Sequence, residues 1–251
     1  MYHNLLIDIG NSFIKFAGGY SDGKITPVNK IIHQKKNIKT ILKSLSNIFN
    51  DSKKKIEKIG VTNHYIIQDE PVKLILYNTF KKPIIIINKN LNLPIKINYS
   101  SILGSDRICS AVSAYKIFQK YKNILIIDFG TATTYNILID GIFKYGLICP
   151  GIQSSLDNLL ENTSLPHTDF TKMNHNILAN TTEENISSGI YYQTIYSTEG
   201  IIKDYKKKFK GLLVVATGGL SKWITKHTKL IDFYDENLVI KGINYILNLN
   251  R

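Results

Sequence analysis

Cysteine is nearly absent: the chain of 251 residues holds two, Cys109 and Cys149. That excludes a disulfide framework and a Cys-rich zinc site, and it fits a reducing cytosol. The six histidines form no His-x-x-His set, which argues further against zinc. Long apolar runs are missing as well. Stretches such as Ile84 to Ile87 and Ile124 to Ile127 fall far short of the roughly 20 residues a membrane helix needs. The opening MYHNLLIDIGNS has no basic stretch before it turns polar at Asp8, so it does not read as a signal peptide. A cytoplasmic location without membrane contact is the expectation.

Acidic residues are scarce. Asp and Glu total 19 against 32 Lys and Arg, a formal net charge of +13. A basic chain can attract nucleic acid, anionic membranes or phosphorylated substrates. The basic runs Lys53-Lys54-Lys55 and Lys206-Lys207-Lys208 are short, far apart and not interleaved with aromatics. Asn, Ile and Lys are abundant throughout, so the charge reads as composition, and no nucleic-acid partner is expected. Arginine is the other scarcity, with only Arg107 and Arg251. A chain that uses Lys almost everywhere and Arg at one internal point has a use there for a planar fork.

The length supports a sizeable core in one or two domains. Strands are expected over Asn4 to Ile9, Phe13 to Gly18 and Ile25 to Ile32, then a helix from Ile38 to Phe49. Strands at Ile56 to Val61 and Ile84 to Ile87 flank a helix over Pro71 to Phe80, giving β-β-β-α-β-α-β. The second half starts alike, with strands at Asn123 to Ile127, Tyr135 to Ile139 and Ile142 to Ile148, and a hairpin signal at Asp140-Gly141. Helices over Gly151 to Asn162 and Glu183 to Phe209, a strand at Leu212 to Ala216 and a closing helix at Val239 to Leu247 complete it. Each half opens with an apolar strand followed by Asp-x-Gly and a second strand, at Asp8 and at Asp128. This pattern points to a duplication, with domains over 1–115 and 116–251.

Four segments could carry chemistry. In Asp8-Ile9-Gly10-Asn11-Ser12-Phe13-Ile14-Lys15, a carboxylate ends a buried strand beside a glycine turn, two polar residues and a cation. A phosphate-binding hairpin with a carboxylate that organises a metal needs these groups. Asp128-Phe129-Gly130-Thr131 repeats the pattern, and Ala216-Thr217-Gly218-Gly219 is a glycine turn after a strand. In Gly104-Ser105-Asp106-Arg107, helical spacing from Ile108 to Phe118 starts a helix near Ser105. Asp106 then sits in the first turn, where the helix favours an ionised carboxylate. A proton acceptor next to a guanidinium suits a small hydroxy acid. Cys109 has no paired histidine and reads as core.

Together with Pro150-Gly151-Ile152 and the Thr182-to-Gly189 stretch, these motifs resemble, in order from Asn4 to about Leu220, the type III pantothenate kinases. These belong to the acetate and sugar kinase/Hsp70/actin superfamily. The resemblance implies an α/β fold of two duplicated ribonuclease-H-like (actin-like ATPase) domains with the active site in the cleft between them. It implies ATP-dependent phosphorylation of pantothenate, the first step of coenzyme A synthesis. By position it makes Asp106 the catalytic base, and Asp8 to Lys15 and Thr131 the ATP contacts. Asp128 matches the monovalent-cation ligand, for K⁺ or NH₄⁺, and Asp8 organises Mg²⁺ through water. Tyr99, Gly104, Ser105, Asp106, Arg107 and Thr182 match the pantothenate site. The resemblance also implies a homodimer. Two rivals remain: another small-molecule kinase of the superfamily, and a non-catalytic nucleotide-binding regulator on the same fold.

Overall fold

The computed structural model describes residues 2–33, 37–49, 55–63, 69–99, 102–169, 171 and 175–250. Lys53, Lys54 and Arg251, named above for their charge, lie outside the described residues. By its internal contacts the chain forms two compact units. Unit 1 takes residues 1–119, 141–144 and 237–251; unit 2 takes 120–140 and 145–236.

Unit 1 is built on β1 (Asn4–Ile9), buried along its whole length. It pairs antiparallel with β2 (Phe13–Gly19) and parallel with β4 (Lys58–Asn63). With β3 (Asn29–Ile32) and β5 (Ile84–Ile86) the sheet order is β3-β2-β1-β4-β5. Alternation along β1 sends Leu5, Ile7 and Ile9 to one face. There they join Leu42 and Leu45 of α1 (Ile38–Ile48) and Val72, Leu76 and Phe80 of α2 (Asp69–Phe80) in one buried cluster. β3 is shorter than the expected strand over 25–32. Pro27 lacks an amide hydrogen and interrupts the ladder, leaving Ile25 only an isolated bridge to Gly19. A short β6 (Lys96–Ile97), not foreseen, pairs in parallel with Ile142 and Phe143.

α3 (Ser105–Ile117) packs against the closing helix α7 (Leu238–Leu249) within the same unit. The two backbones approach closely because Gly242 has no side chain. A Cβ there would sit 2.0 Å from the Cys109 carbonyl oxygen. Gly60 of β4 makes room in the same way for Ile243 and Leu247 of α7. Ser113 ties the helices further, its hydroxyl donating to the Leu238 carbonyl at 2.7 Å.

Unit 2 repeats the plan. β7 (Asn123–Phe129) pairs antiparallel with β8 (Ala132–Ile139) and parallel with β10 (Leu213–Thr217). With β9 (Ile142–Pro150), whose first three residues fall in unit 1, a two-residue β11 (Phe233–Tyr234) and β6 at the β9 edge, the sheet order is β6-β9-β8-β7-β10-β11. Apart from β6, that is the unit 1 order strand for strand. The hairpin read from Asp140-Gly141 is present, with both residues at positive φ, 49° and 71°. α4 (Ile152–Glu161), α5 (Thr182–Lys208) and α6 (Ser221–His227) supply Leu156, Ile190, Ile202 and Ile224 to a core with Leu125, Ile127 and Val214.

The helix contact in unit 1 gives a sharp test. Gly242→Ala puts a methyl against a backbone carbonyl that no rotamer change can move, so it should cost at least about 1–3 kcal/mol. Gly200→Ala on α5, with nothing within 4 Å of its Cβ, should instead stabilise by about 0.5–1 kcal/mol. Thermal unfolding should shift down for the first and up for the second. Equal midpoints would remove the close approach of α3 and α7.

Candidate active site

In unit 1 the chain places a buried carboxylate near the end of its central strand. Asp8 is the penultimate residue of β1 and is itself 5% exposed. An ionised carboxylate in that position needs donors. Thr62, its register partner on β4, donates from Oγ1 to Asp8 Oδ1 at 2.6 Å. Lys15 is its register partner on β2, so both side chains lie on one face of the hairpin. Between them Gly10 closes the turn, its N–H donating to the Phe13 carbonyl at 3.0 Å. Asn11 and Ser12 are exposed at the tip, and Phe13 is half-buried. The side chains of Ile9 and Ile14 are fully buried in the core, so only their backbone belongs to the turn.

The second segment is the start of α3. Gly104 is its N-cap, and no side chain caps the helix there. A Cβ on Gly104 would meet Asp106 Oδ1 at 2.6 Å, so the carboxylate curls back over the turn into space only glycine leaves. Ser105 is buried and joins the helix to the end of β4, accepting the Asn63 N–H at 3.2 Å. Arg107 is 7% exposed. Its guanidinium carbon lies 5.2 Å from the Tyr99 ring centre and 5.4 Å from that of Phe143, and the two rings meet edge-on at 5.8 Å. Cation–π contact with this pair of rings holds the planar fork in one orientation. Beside this turn is a hollow of about 180 Å³, lined among others by Asn63, Asp69, Ile86, Leu103 and Ser105. Asn63 Nδ2 donates to Asp69 Oδ1 there at 3.0 Å.

Cys109 lies one turn further along α3 and is fully buried. Burial pushes its thiol well above the usual range, and the negative charges of Asp8 and Asp106 push it the same way. The thiolate is therefore suppressed, as a core residue requires.

Unit 2 carries the counterpart. Asp128 is the penultimate residue of β7, with Thr217 as its partner on β10 and Thr134 on β8. Its Oδ1 would lie 2.4 Å from a Cβ on Gly218 and 3.6 Å from one on Gly130, so two glycines bound the carboxylate. Gly218 also turns at φ +92°. Thr217 is 1% exposed, and its hydroxyl has no hydrogen-bond partner among the described residues. Thr131 is exposed at the turn. Its carbonyl accepts from the Gly151 N–H at 3.0 Å and the Ser154 hydroxyl at 2.8 Å. Thr182 is the exposed first residue of α5, next to Thr181, whose hydroxyl caps the helix by accepting the Glu184 N–H at 3.2 Å.

Among the described residues no group of three or more His, Cys, Asp or Glu could hold a metal. A divalent ion would therefore rest on one or two carboxylates plus phosphate oxygens, a common arrangement for Mg²⁺. Asp8 offers a hard oxygen for it. Asp128 with the unpartnered Thr217 hydroxyl offers oxygen donors for a cation in unit 2.

Sequence reading missed Thr62, Asn63, Asp69 and Phe143 in these surroundings, and named Thr217 only as part of a glycine turn. Each reaches its place through strand pairing or packing over a long stretch of chain. The one local signal was Thr62-Asn63 closing an apolar strand, as Asp8 closes β1.

A sequence model of the type III pantothenate kinases matches residues 4–204. A type III pantothenate kinase of Petrotoga mobilis is 31% identical over 252 residues, spanning 96% of this chain and 96% of its own. Among solved structures, one from Campylobacter jejuni is described as a candidate Baf family transcriptional activator. It is 21% identical with a TM-score of 0.62, covering 97% of this chain and 96% of that one. A ROK family glucokinase from Streptomyces griseus, solved with glucose and AMPPNP, is 11% identical with a TM-score of 0.57, covering 97% and 98%. These structures show the fold alone, the actin-like ATPase fold of the sugar kinases.

The environment of Cys109 can be checked by thiol labelling at pH 8. In a Cys149→Ser background, Cys109 should react only when the protein is unfolded, because a raised pKa leaves little thiolate at that pH. Prompt reaction in the native protein would contradict its burial beside two carboxylates.

Proposed function

The chain belongs to the type III pantothenate kinase family, and from that premise we propose how its residues divide the work. The reaction moves a phosphoryl group from ATP to pantothenate, giving 4'-phosphopantothenate for coenzyme A synthesis, and it uses a divalent metal. Such transfers proceed through a loose transition state, so the protein contributes mainly positioning and charge.

The turn from Asp8 to Lys15 takes the phosphates of ATP, with Lys15 as a fixed positive charge and Thr131 as a further contact. Mg²⁺ associates with Asp8 through water, and K⁺ or NH₄⁺ with Asp128. A divalent ion on the phosphates offsets charge that builds on the transferred group. Asp106 holds the acceptor hydroxyl and takes its proton. It sits in the first turn of α3, and the absence of a side chain at Gly104 leaves room for its carboxylate. Arg107 binds the substrate carboxylate with a fork held by Tyr99 and Phe143. Ser105, Tyr99 and Thr182 complete the pantothenate contacts. The observation that carries this reading is the start of α3, where a carboxylate folded over a glycine adjoins a buried guanidinium held against two rings.

We also propose that the chain descends from one duplicated domain, with halves at 1–115 and 116–251, the closing helix α7 of the second half packing within unit 1. The matching order of five strands in each sheet supports it. A cytoplasmic homodimer belongs to the same reading. No helix among the described residues is long and apolar enough to cross a membrane. Unit 2 exposes Ile177, Leu178 and Tyr196 at 69%, 80% and 63%, surface that a second copy could cover.

Asp106→Asn keeps size and helix geometry but removes the proton acceptor. Its kcat should fall by about 10²–10⁴, the usual cost of losing a general base, with ATP binding unchanged. Arg107→Lys should raise the pantothenate KM instead. Near-normal turnover in Asp106→Asn would reduce this aspartate to a helix-end charge and move the base elsewhere.

A further inference from the structure

His33 follows directly on β3 and is 6% exposed. Two bonds tie it to the turn between β1 and β2. Its backbone N–H donates to the Ser12 carbonyl at 3.1 Å, and its Nε2 lies 2.8 Å from the Gly10 carbonyl oxygen. A carbonyl only accepts, so Nε2 carries the proton. Nδ1, on the other side of the ring, is buried and has no partner among the described residues. A buried imidazole with one nitrogen unsatisfied is costly in a core. An aliphatic side chain would avoid that cost, so the single bond to Gly10 calls for an explanation beyond packing.

Peptide geometry supplies one. The Gly10 carbonyl and the Asn11 N–H belong to the same planar trans peptide and point in opposite directions. Anchoring the carbonyl to His33 turns the Asn11 N–H away from the core, toward the exposed tip of the turn. With the imidazole bond absent, that peptide could rotate and present its oxygen at the tip, where it would repel an anion. Gly10 makes such rotation easy, having no side chain to oppose it.

We propose that His33 is a positioning residue for ATP: it fixes the Gly10–Asn11 peptide so that an amide, and not a carbonyl, faces the phosphates. This rests on the reading of Asp8 to Lys15 as the phosphate turn. His33 itself touches no substrate and takes no part in proton transfer.

The test compares His33→Leu, His33→Gln and His33→Asn with the wild type and with Lys15→Ala, measuring both KM values, kcat and thermal midpoints. The amide nitrogen of Gln reaches the place of Nε2, whereas that of Asn falls near Nδ1. Leu and Asn should raise the ATP KM about tenfold or more, the scale of one lost bond to a charged group. The pantothenate KM should stay within about twofold, and Gln should restore most of the ATP affinity. If Leu fails to fold, Gln against Asn gives the same reading. The proposal is overturned if Leu binds ATP normally, if both KM values rise together, or if Gln is no better than Asn. A normal ATP KM in His33→Leu with a raised one in Lys15→Ala would sink the role of His33 alone. A normal ATP KM in both would also remove the phosphate turn on which it rests.

Discussion

A carboxylate at the end of a central strand sets the rest of this structure. Asp8 on β1 and Asp128 on β7 occupy the same position in two sheets of the same strand order. A carboxylate is costly to bury unless donors or a cation meet it. The chain answers that cost differently in its two units. In unit 1 the Thr62 hydroxyl donates to Asp8. In unit 2 the equivalent Thr217 hydroxyl makes no such bond, and Asp128 turns toward the glycine backbone at Gly130 and Gly218. The glycines, the flanking threonines and the tight turns all follow from having to place these charges at strand ends.

The start of α3 depends on a different constraint. α3 must bring its N-terminus to the end of β4, and it does so by packing on α7 at backbone distance. Ser105 then fastens the helix start to Asn63. Only with the first turn so fixed does Asp106 have a defined place, and only with Tyr99 and Phe143 against it does Arg107 have a defined plane. Charge placement here is a result of helix packing, which is why a glycine as remote in sequence as Gly242 bears on the site.

Much of this was legible in the sequence. Apolar runs that end in Asp-x-Gly located β1 and β7, and helical spacing after Gly104 located α3. Asp140-Gly141 marked its hairpin correctly because the residues themselves favour positive φ. What could not be read were pairings made across long stretches of chain. Thr62 and Thr217 meet their aspartates through parallel pairing with a crossover between the strands, and nothing local marks the register. Phe143 reaches Arg107 from a strand with no polar signal. The return of residues 237–250 to unit 1 depends on the fit of Gly242 to Cys109, a shape match that composition does not reveal. Pro27, by contrast, was visible, and its missing amide could have shortened β3 in advance.

The most direct measurement is phosphorus NMR of the purified protein with ATP, Mg²⁺ and K⁺ over three acceptors: pantothenate, its alcohol analogue lacking the carboxylate, and glucose. The account predicts that a new phosphomonoester of pantothenate accumulates in step with ADP. The alcohol analogue should react much more slowly, because Arg107 has no carboxylate to hold, and glucose should give no product. Phosphorylation of glucose as readily as pantothenate, or equal rates for pantothenate and its alcohol, would contradict an acceptor site built on Asp106 and Arg107.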